Sequence, residues 1–212
     1  MMETIKYLNK YFITKSELLE LTKTTETELH AFQQQGMMPQ CSYTLKLSLE
    51  SESFFGLHCD ASELEYYAKG YISWLTIVKS LENPHDAYSI FRHRYTSAVS
   101  TLKEFGHHPH SSENDDGIES DVKEAWLHFL DGTYGLCTQS GLPEDIAAKA
   151  LSIREINQLT DLDNLGGSQL TQLENAVNLL DSASSLFAPH ERLTSSRHRL
   201  VDETRRKYKL RR

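Results

Sequence analysis

The stretch FITKSELLELTKTTETELHAFQQQGMMP, residues 12–39, confines this end of the chain to two short helices and a hard stop. Thr14 with Glu17 three residues on is a capping box, in which each side chain satisfies a backbone N–H of the other, and Leu18, Leu19 and Leu21 carry an apolar run beyond it. A second helix is expected to start near Thr25 and to run through Leu29 and Phe32 to Gln35. Gly36 then provides a C-terminal stop, and Pro39, which has no N–H, prevents resumption. Two short helices joined by a few residues make a helix-turn-helix geometry.

The segment SYTLKLSLESESFFGLHC follows, in which Tyr43, Leu45, Leu47 and Leu49 alternate with polar residues before a polar ESES turn and a second run from Phe54 to Cys59. Period-2 alternation on both sides of a turn predicts a small hairpin, which directly behind a helix-turn-helix would be a wing. From Asp60 onward the period becomes helical. SELEYYAKGYISWLTIVKSL puts Leu64, Tyr67, Tyr71, Trp74, Leu75 and Val78 on one broad face with a break at Gly70. A clearer helix starts at Pro84, with Tyr88, Phe91, Tyr95, Val99, Leu102 and Phe105 inward. GHHPHSSENDDGIES has no apolar period and reads as an exposed loop. Val122, Trp126, Phe129 and Leu130 define a helix that ends at the DGTYG turn. Two more amphipathic helices begin near Pro143 and at Ser168, the second reaching Phe187, and a basic helix closes the chain from Glu191. The expected fold is mainly α: a small winged-helix-like N-terminal unit with a short β-hairpin over residues 1–60, then a helical domain over residues 61–212.

At 212 residues, 39% of them hydrophobic, the chain can bury a core without staples. Cys41, Cys59 and Cys137 are odd in number and widely spaced, which argues against a disulfide framework and for a reducing, cytoplasmic compartment. No apolar run approaches a membrane span or a secretory signal, so a soluble protein with no membrane partner is expected. The net charge of −8 disfavours broad nucleic-acid binding, because an acidic surface repels phosphate. The charge is uneven: from Thr194 to Arg212 eight Lys or Arg face Asp202 and Glu203, a net +6 that leaves −14 for the rest.

Candidate chemistry is sparse. The imidazoles of His107, His108 and His110 with Glu113, Asp115 and Asp116 are sound metal-ligand types, but the loop and its spacing match no established site, and no metal is expected. Cys137, after a glycine-rich turn, would be a nucleophile only with a base such as His128 beside it. Two arginine–histidine clusters, PHDAYSIFRHRY with Arg92 and PHERLTSSRHRL with His190, Arg192 and Arg197, suit a carboxylate or phosphate. Serine-triad, phosphate-loop and HExxH patterns are absent, and no cofactor is expected.

Residues 12–39 resemble the DNA-binding head of MerR-type regulators through Phe12-Ile13, Glu17-Leu18, Leu21-Thr22, Leu29 and Gly36-Met37-Met38-Pro39. The resemblance implies DNA contact from the second helix, where Gln33 and Gln34 would read adenine edges. Glu26 and Glu28 depart from the arginines such a helix offers, and two carboxylates facing phosphates disfavour that use. Over Tyr7 to Tyr208, the stretches MPQCSYT, FFGLH, AWLHFLDGTYGLC, PEDIAAKALSIREI and APHERLTSSRHRLVDETRRKY resemble a bacterial family of unknown function labelled natural-product biosynthesis proteins. That resemblance implies recurring roles for Trp126, Asp131, Gly132, Tyr134, Gly135, Cys137, Arg192, Ser196 and Arg197, and no reaction. The leading expectation is a non-enzymatic accessory protein that binds a small anionic ligand or a protein partner through Arg92, Cys137, His190, Arg192 and Arg197. A MerR-type regulator and a biosynthetic enzyme are the alternatives.

Overall fold

The computed structural model describes residues 3–108 and 115–211, with residues 115–118 described by backbone alone. Helix α1 (Glu3–Tyr11) leads into strand β1 (Phe12–Thr14), and helices α2 (Lys15–Thr22) and α3 (Glu26–Gln34) follow. Thr14 and Glu17 cap α2 reciprocally, and Thr25 and Glu28 do the same for α3. After α3, Gly36 takes φ +65°, and the amides of Met37 and Met38 both donate back to the Phe32 carbonyl, closing the helix.

Strands β2 (Tyr43–Ser53) and β3 (Gly56–Ala68) form a long antiparallel hairpin whose turn is Phe54-Phe55, and β1 adds to the inner end of β3 in the order β1-β3-β2. The ESES stretch expected as a turn is strand, in register with Gly56 to Cys59. SELEYYA, expected as helix, is the inner half of β3. Its Leu64 and Tyr66 alternate as well as Leu64 and Tyr67 repeat, and pairing with β1 on one side and β2 on the other decides for the strand. The boundary expected near Asp60 therefore falls inside β3.

Helix α4 (Tyr71–Val78) begins just past Gly70, and α5 (His85–Glu104) begins past Pro84. Helix α6 (Asp115–Leu130) starts within the stretch expected as loop. The loop's Pro109 to Asn114, with the candidate ligands His110 and Glu113, lie outside the described residues. A short α7 (Thr133–Cys137) precedes α8 (Pro143–Thr160) and α9 (Gly167–Ala183). Gly166, not Ser168, sits at the start of α9, and Phe187 lies beyond its end with a left-handed φ of +55°. In place of one closing helix come a 3-10 turn at Arg192–Thr194, a π-helical turn at His198–Asp202 and α10 (Glu203–Tyr208). The described chain is mainly α with one small antiparallel sheet. No helix among the described residues is long and apolar enough to cross a membrane.

One apolar cluster joins Ile13, Leu18, Leu29 and Met37 to Trp74, Phe91, Phe129 and Ile146, so the N-terminal helices and the helical body share a core. Trp74 is its centre: the ring meets Phe129 edge-on at 4.9 Å, and its indole N–H donates to the Met37 carbonyl at 2.8 Å. A smaller cluster of Tyr7, Leu8, Phe12, Tyr66 and Ala188 ties α1 and the sheet to the segment after α9. Trp74→Phe keeps most of the packing but orphans a buried carbonyl, which should lower the unfolding free energy by about 1–3 kcal/mol. Urea denaturation followed by fluorescence and by far-UV circular dichroism should give one coincident transition for both proteins; separate transitions would contradict a shared core.

Candidate functional site

A cleft of about 330 Å³ lies where α1, the β3–α4 junction, the α7–α8 connection and the segment after α9 meet. Its walls include Tyr7, Tyr11, Lys10, Lys69, Ser140 and Ser185. Tyr7 and Tyr11, one helical turn apart on α1, hold their ring centroids 5.1 Å apart. Tyr7 is 5% exposed, and among the described residues its hydroxyl makes no hydrogen bond of full geometry, although the hydroxyls of Ser185 and Tyr43 lie close enough to interact with it. Burial, opposed by those two hydroxyls, raises its pKa, so it stays a protonated donor at physiological pH. An under-satisfied buried donor carries a desolvation cost that a bound acceptor would remove.

The cationic rim comes from two exposed lysines. Lys69 Nζ donates to the Lys10 carbonyl at 2.7 Å, and Lys10 Nζ lies 4.9 Å from the centre of the Tyr11 ring. Neither pairs with a carboxylate among the described residues. The floor is hydroxyl-rich. Ser140 donates from N and Oγ to Asp145, Ser185 Oγ donates to the Leu136 carbonyl at 2.7 Å, and Thr138 Oγ1 to the Tyr134 carbonyl at 2.6 Å. Behind Tyr7, the Tyr43 hydroxyl donates to Glu191 at 2.6 Å, and burial followed by that carboxylate pushes the Tyr43 pKa up.

The expected ligand-binding residues divide between this neighbourhood and elsewhere. Cys137 sits between the cleft residues Gly135 and Thr138, and its carbonyl accepts from the buried Lys149 at 2.7 Å. Among the described residues no base hydrogen-bonds its thiol, and His128 faces Asp131 at 3.2 Å instead. Glu191 and Arg192 lie behind Tyr7. Arg192 Nε donates to the Phe187 carbonyl at 3.2 Å, holding the left-handed residue, while His190 is exposed, 3.8 Å from the Glu191 carboxylate. Arg92 and Arg197 are elsewhere and already neutralised, Arg92 by Glu119 at 2.9 Å and Arg197 by Asp181, which also takes Arg205 at 2.6 Å. Gln33 turns inward, donating to the Pro39 carbonyl at 2.9 Å and the Tyr67 hydroxyl at 3.3 Å, whereas Gln34 is exposed. His107 pairs with the buried Glu155 at 2.9 Å, and no cluster of three metal-ligating side chains occurs among the described residues.

Sequence reasoning missed Tyr7, Lys10 and Lys69. The repeat of a lysine beside an aromatic in KYLNKYF was the available signal, and nothing local ties it to Lys69.

The DGTYG residues serve packing. A Cβ on Gly132, whose φ is +85°, would come within 2.6 Å of the Cys41 carbonyl, and one on Gly135 would collide with Ser42. Asp131 accepts from the Thr133 amide at 2.8 Å and starts α7.

The fold and the cleft define a mainly α protein with a small sheet and a seam between its N-terminal elements and its helices. The model of DUF6058, a family of unknown function, matches residues 87–209, over half of the chain, and the protein belongs to that family. No curated protein and no solved structure matches the chain.

Burial pushes the Asp131 carboxyl up, but Thr133 and His128 outweigh it and hold the pKa below the usual carboxylate value. A depressed folded-state pKa contributes stability above the unfolded value, near 3.9, that is lost as pH falls through the folded value. Asp131→Asn should therefore be less stable than the parent at neutral pH, and the gap should close below about pH 4. Denaturation midpoints from pH 7 to pH 3 check this; a gap independent of pH would show that the charge is not what matters.

Proposed function

We propose that this protein is a non-enzymatic accessory protein that binds a small molecule bearing an anionic group on an apolar body, in the cleft between α1 and the α7–α8 connection. The under-satisfied hydroxyl of Tyr7 carries this reading, because it is a buried donor, held only loosely by the hydroxyls of Ser185 and Tyr43, on the wall of a cleft with two lysines at its rim. The aromatic rings of Tyr7 and Tyr11 suit a flat apolar body, and Lys10 and Lys69 suit a carboxylate or phosphate. Recognition by Arg92 and Arg197, the expected anion binders, is not part of the proposal, since both already face carboxylates. An enzymatic reading would need a base beside the Cys137 thiol, and a role in natural-product biosynthesis would rest on the resemblance alone.

A MerR-type regulator with a winged-helix-like head is the second reading, supported by the order of α2, α3 and hairpin and by the closing turn at Gly36. Its proposed reading helix has weak means of contact. Glu26 pairs with Lys15 at 2.8 Å, Glu28 caps α3, and Gln33 is spent internally. What α3 exposes is acidic or uncharged, where phosphate contacts would need cations.

Isothermal titration with benzoate, 4-hydroxyphenylacetate and phenyl phosphate tests the first reading. Saturable binding of at least one is expected, weakened about tenfold by Tyr7→Phe, the cost of one net hydrogen bond. No binding by any of the three, or binding indifferent to Tyr7→Phe, would sink it. For the second reading, a pull-down with mixed genomic DNA fragments from 50 mM salt upward should retain nothing; a retained discrete site with a steep salt slope would reverse that conclusion.

A further inference from the structure

The hairpin leaves the body as an arm. From Ser48 to Glu63 every residue is exposed on both faces, and six residues of β2 project about 20 Å at the usual rise per residue. At the tip Phe54 and Phe55 are 97% and 96% exposed, edge to face with centroids 5.5 Å apart. Two fully exposed aromatic rings make an apolar patch at the end of a two-stranded ribbon, an element of marginal stability in water by itself, and behind them Leu49 and Leu57 are exposed on opposite faces of the ribbon. One face of the arm also continues the core outward. Leu45 packs against the cluster of Tyr7 and Phe12, and Leu47 and Leu49 follow it at period 2 into solvent.

Charge restricts what covers this arm. Between Lys46 and Glu63 the carboxylates Glu50, Glu52, Asp60 and Glu63 oppose Lys46 alone, and Lys46 already lies 3.8 Å from Glu63. Anionic lipid and nucleic-acid phosphate are repelled by such a surface. A cationic surface with an apolar floor fits it, and the same chain has one. Arg206, Lys207 and Lys209 on and after α10 are exposed with no carboxylate partner among the described residues. Beside them an open groove of about 460 Å³ is lined by His198, Asp202, Arg205, Arg206 and Leu210. Aromatic rings against the Arg206 guanidinium beside Leu210, with Lys207 and Lys209 facing the arm's carboxylates and Asp202 as the one acidic group in the groove, form a compatible pair of surfaces.

We infer that the arm docks on a second copy of this chain, its Phe54-Phe55 tip in the groove beside the second copy's α10 and its carboxylates against that copy's cationic tail. A two-fold arrangement makes the contact twice, arm to tail in each direction, so a modest single contact yields a closed dimer. The inference does not depend on the cleft or its ligand.

Sedimentation of the full chain over a concentration series, at 50 mM and 500 mM salt, tests it. A reversible monomer–dimer equilibrium that weakens with salt is expected. Phe54→Ser with Phe55→Ser should weaken it at least tenfold while leaving the thermal midpoint unchanged, since both rings are exposed. Glu50→Lys/Glu52→Lys and Arg206→Glu/Lys207→Glu should each be monomeric alone and form a heterodimer when mixed, because mixing restores both contacts. A chain that stays monomeric at low salt, a dimer indifferent to the Phe substitutions, or charge variants that fail to pair on mixing would overturn the inference. So would Phe54-dependent binding to phosphatidylcholine vesicles by a chain that remains monomeric.

Discussion

The Met37 carbonyl is buried where the closing turn of α3 meets the helical body, and the indole N–H of Trp74 is the donor that satisfies it. A buried carbonyl without a partner is costly, so this one bond decides how the N-terminal helices sit on the rest. The same ring packs against Phe91, Trp126 and Phe129, three side chains from α5 and α6. Moving the closing turn would unpack the centre of the molecule, and moving α5 or α6 would pull the donor from the turn. Met37 and Met38 are thus more than a stop signal, since they face inward as core and one of them presents its carbonyl to the body.

Charge follows a related logic. Arginines that reach across the helical body end on carboxylates, Arg92 on Glu119, Arg94 on Glu144, Arg154 on Asp121, and Arg197 with Arg205 on Asp181. Several of these pairs are exposed and contribute little to stability, so their main effect is to fix which helices meet. They leave the molecule with unspent charge of one sign at the end of α10 and of the other along the arm. Such segregation is the charge pattern on which the inferred contact between two copies relies.

Much of the helical body was legible. Tyr88, Phe91, Tyr95 and Val99 recur at a period that only a helix satisfies, and Pro84, Pro143 and the Thr14–Glu17 capping box mark starts that the structure keeps. SELEYYA was not legible, because Leu64, Tyr66, Tyr67 and Tyr71 satisfy both periods and the pairing with β1 and β2 that decides between them is nonlocal. Strand β1 is three residues long and invisible without its partner. The ESES stretch misled by composition, since serine and glutamate suit a turn in general and equally an arm solvated on both faces. At the candidate site, the sequence singled out Cys137 and Arg192, which lie beside the cleft without lining it, and gave no hint that arginines would already be paired. Pairing depends on which helices become neighbours, and the cleft depends on four separated segments.

Strand β3 links the two features that give this molecule surfaces to use. Its inner end, Ala68, is a wall of the cleft, and its outer end carries the arm, while Tyr43 on the partner strand fastens the arm's base to Glu191 behind Tyr7. The stretch matched by the family model begins at residue 87, so the arm, α1 and both lysines precede it, whereas the floor of the cleft and the cationic tail lie within it. The cleft is therefore a seam between residues that precede the matched stretch and residues within it.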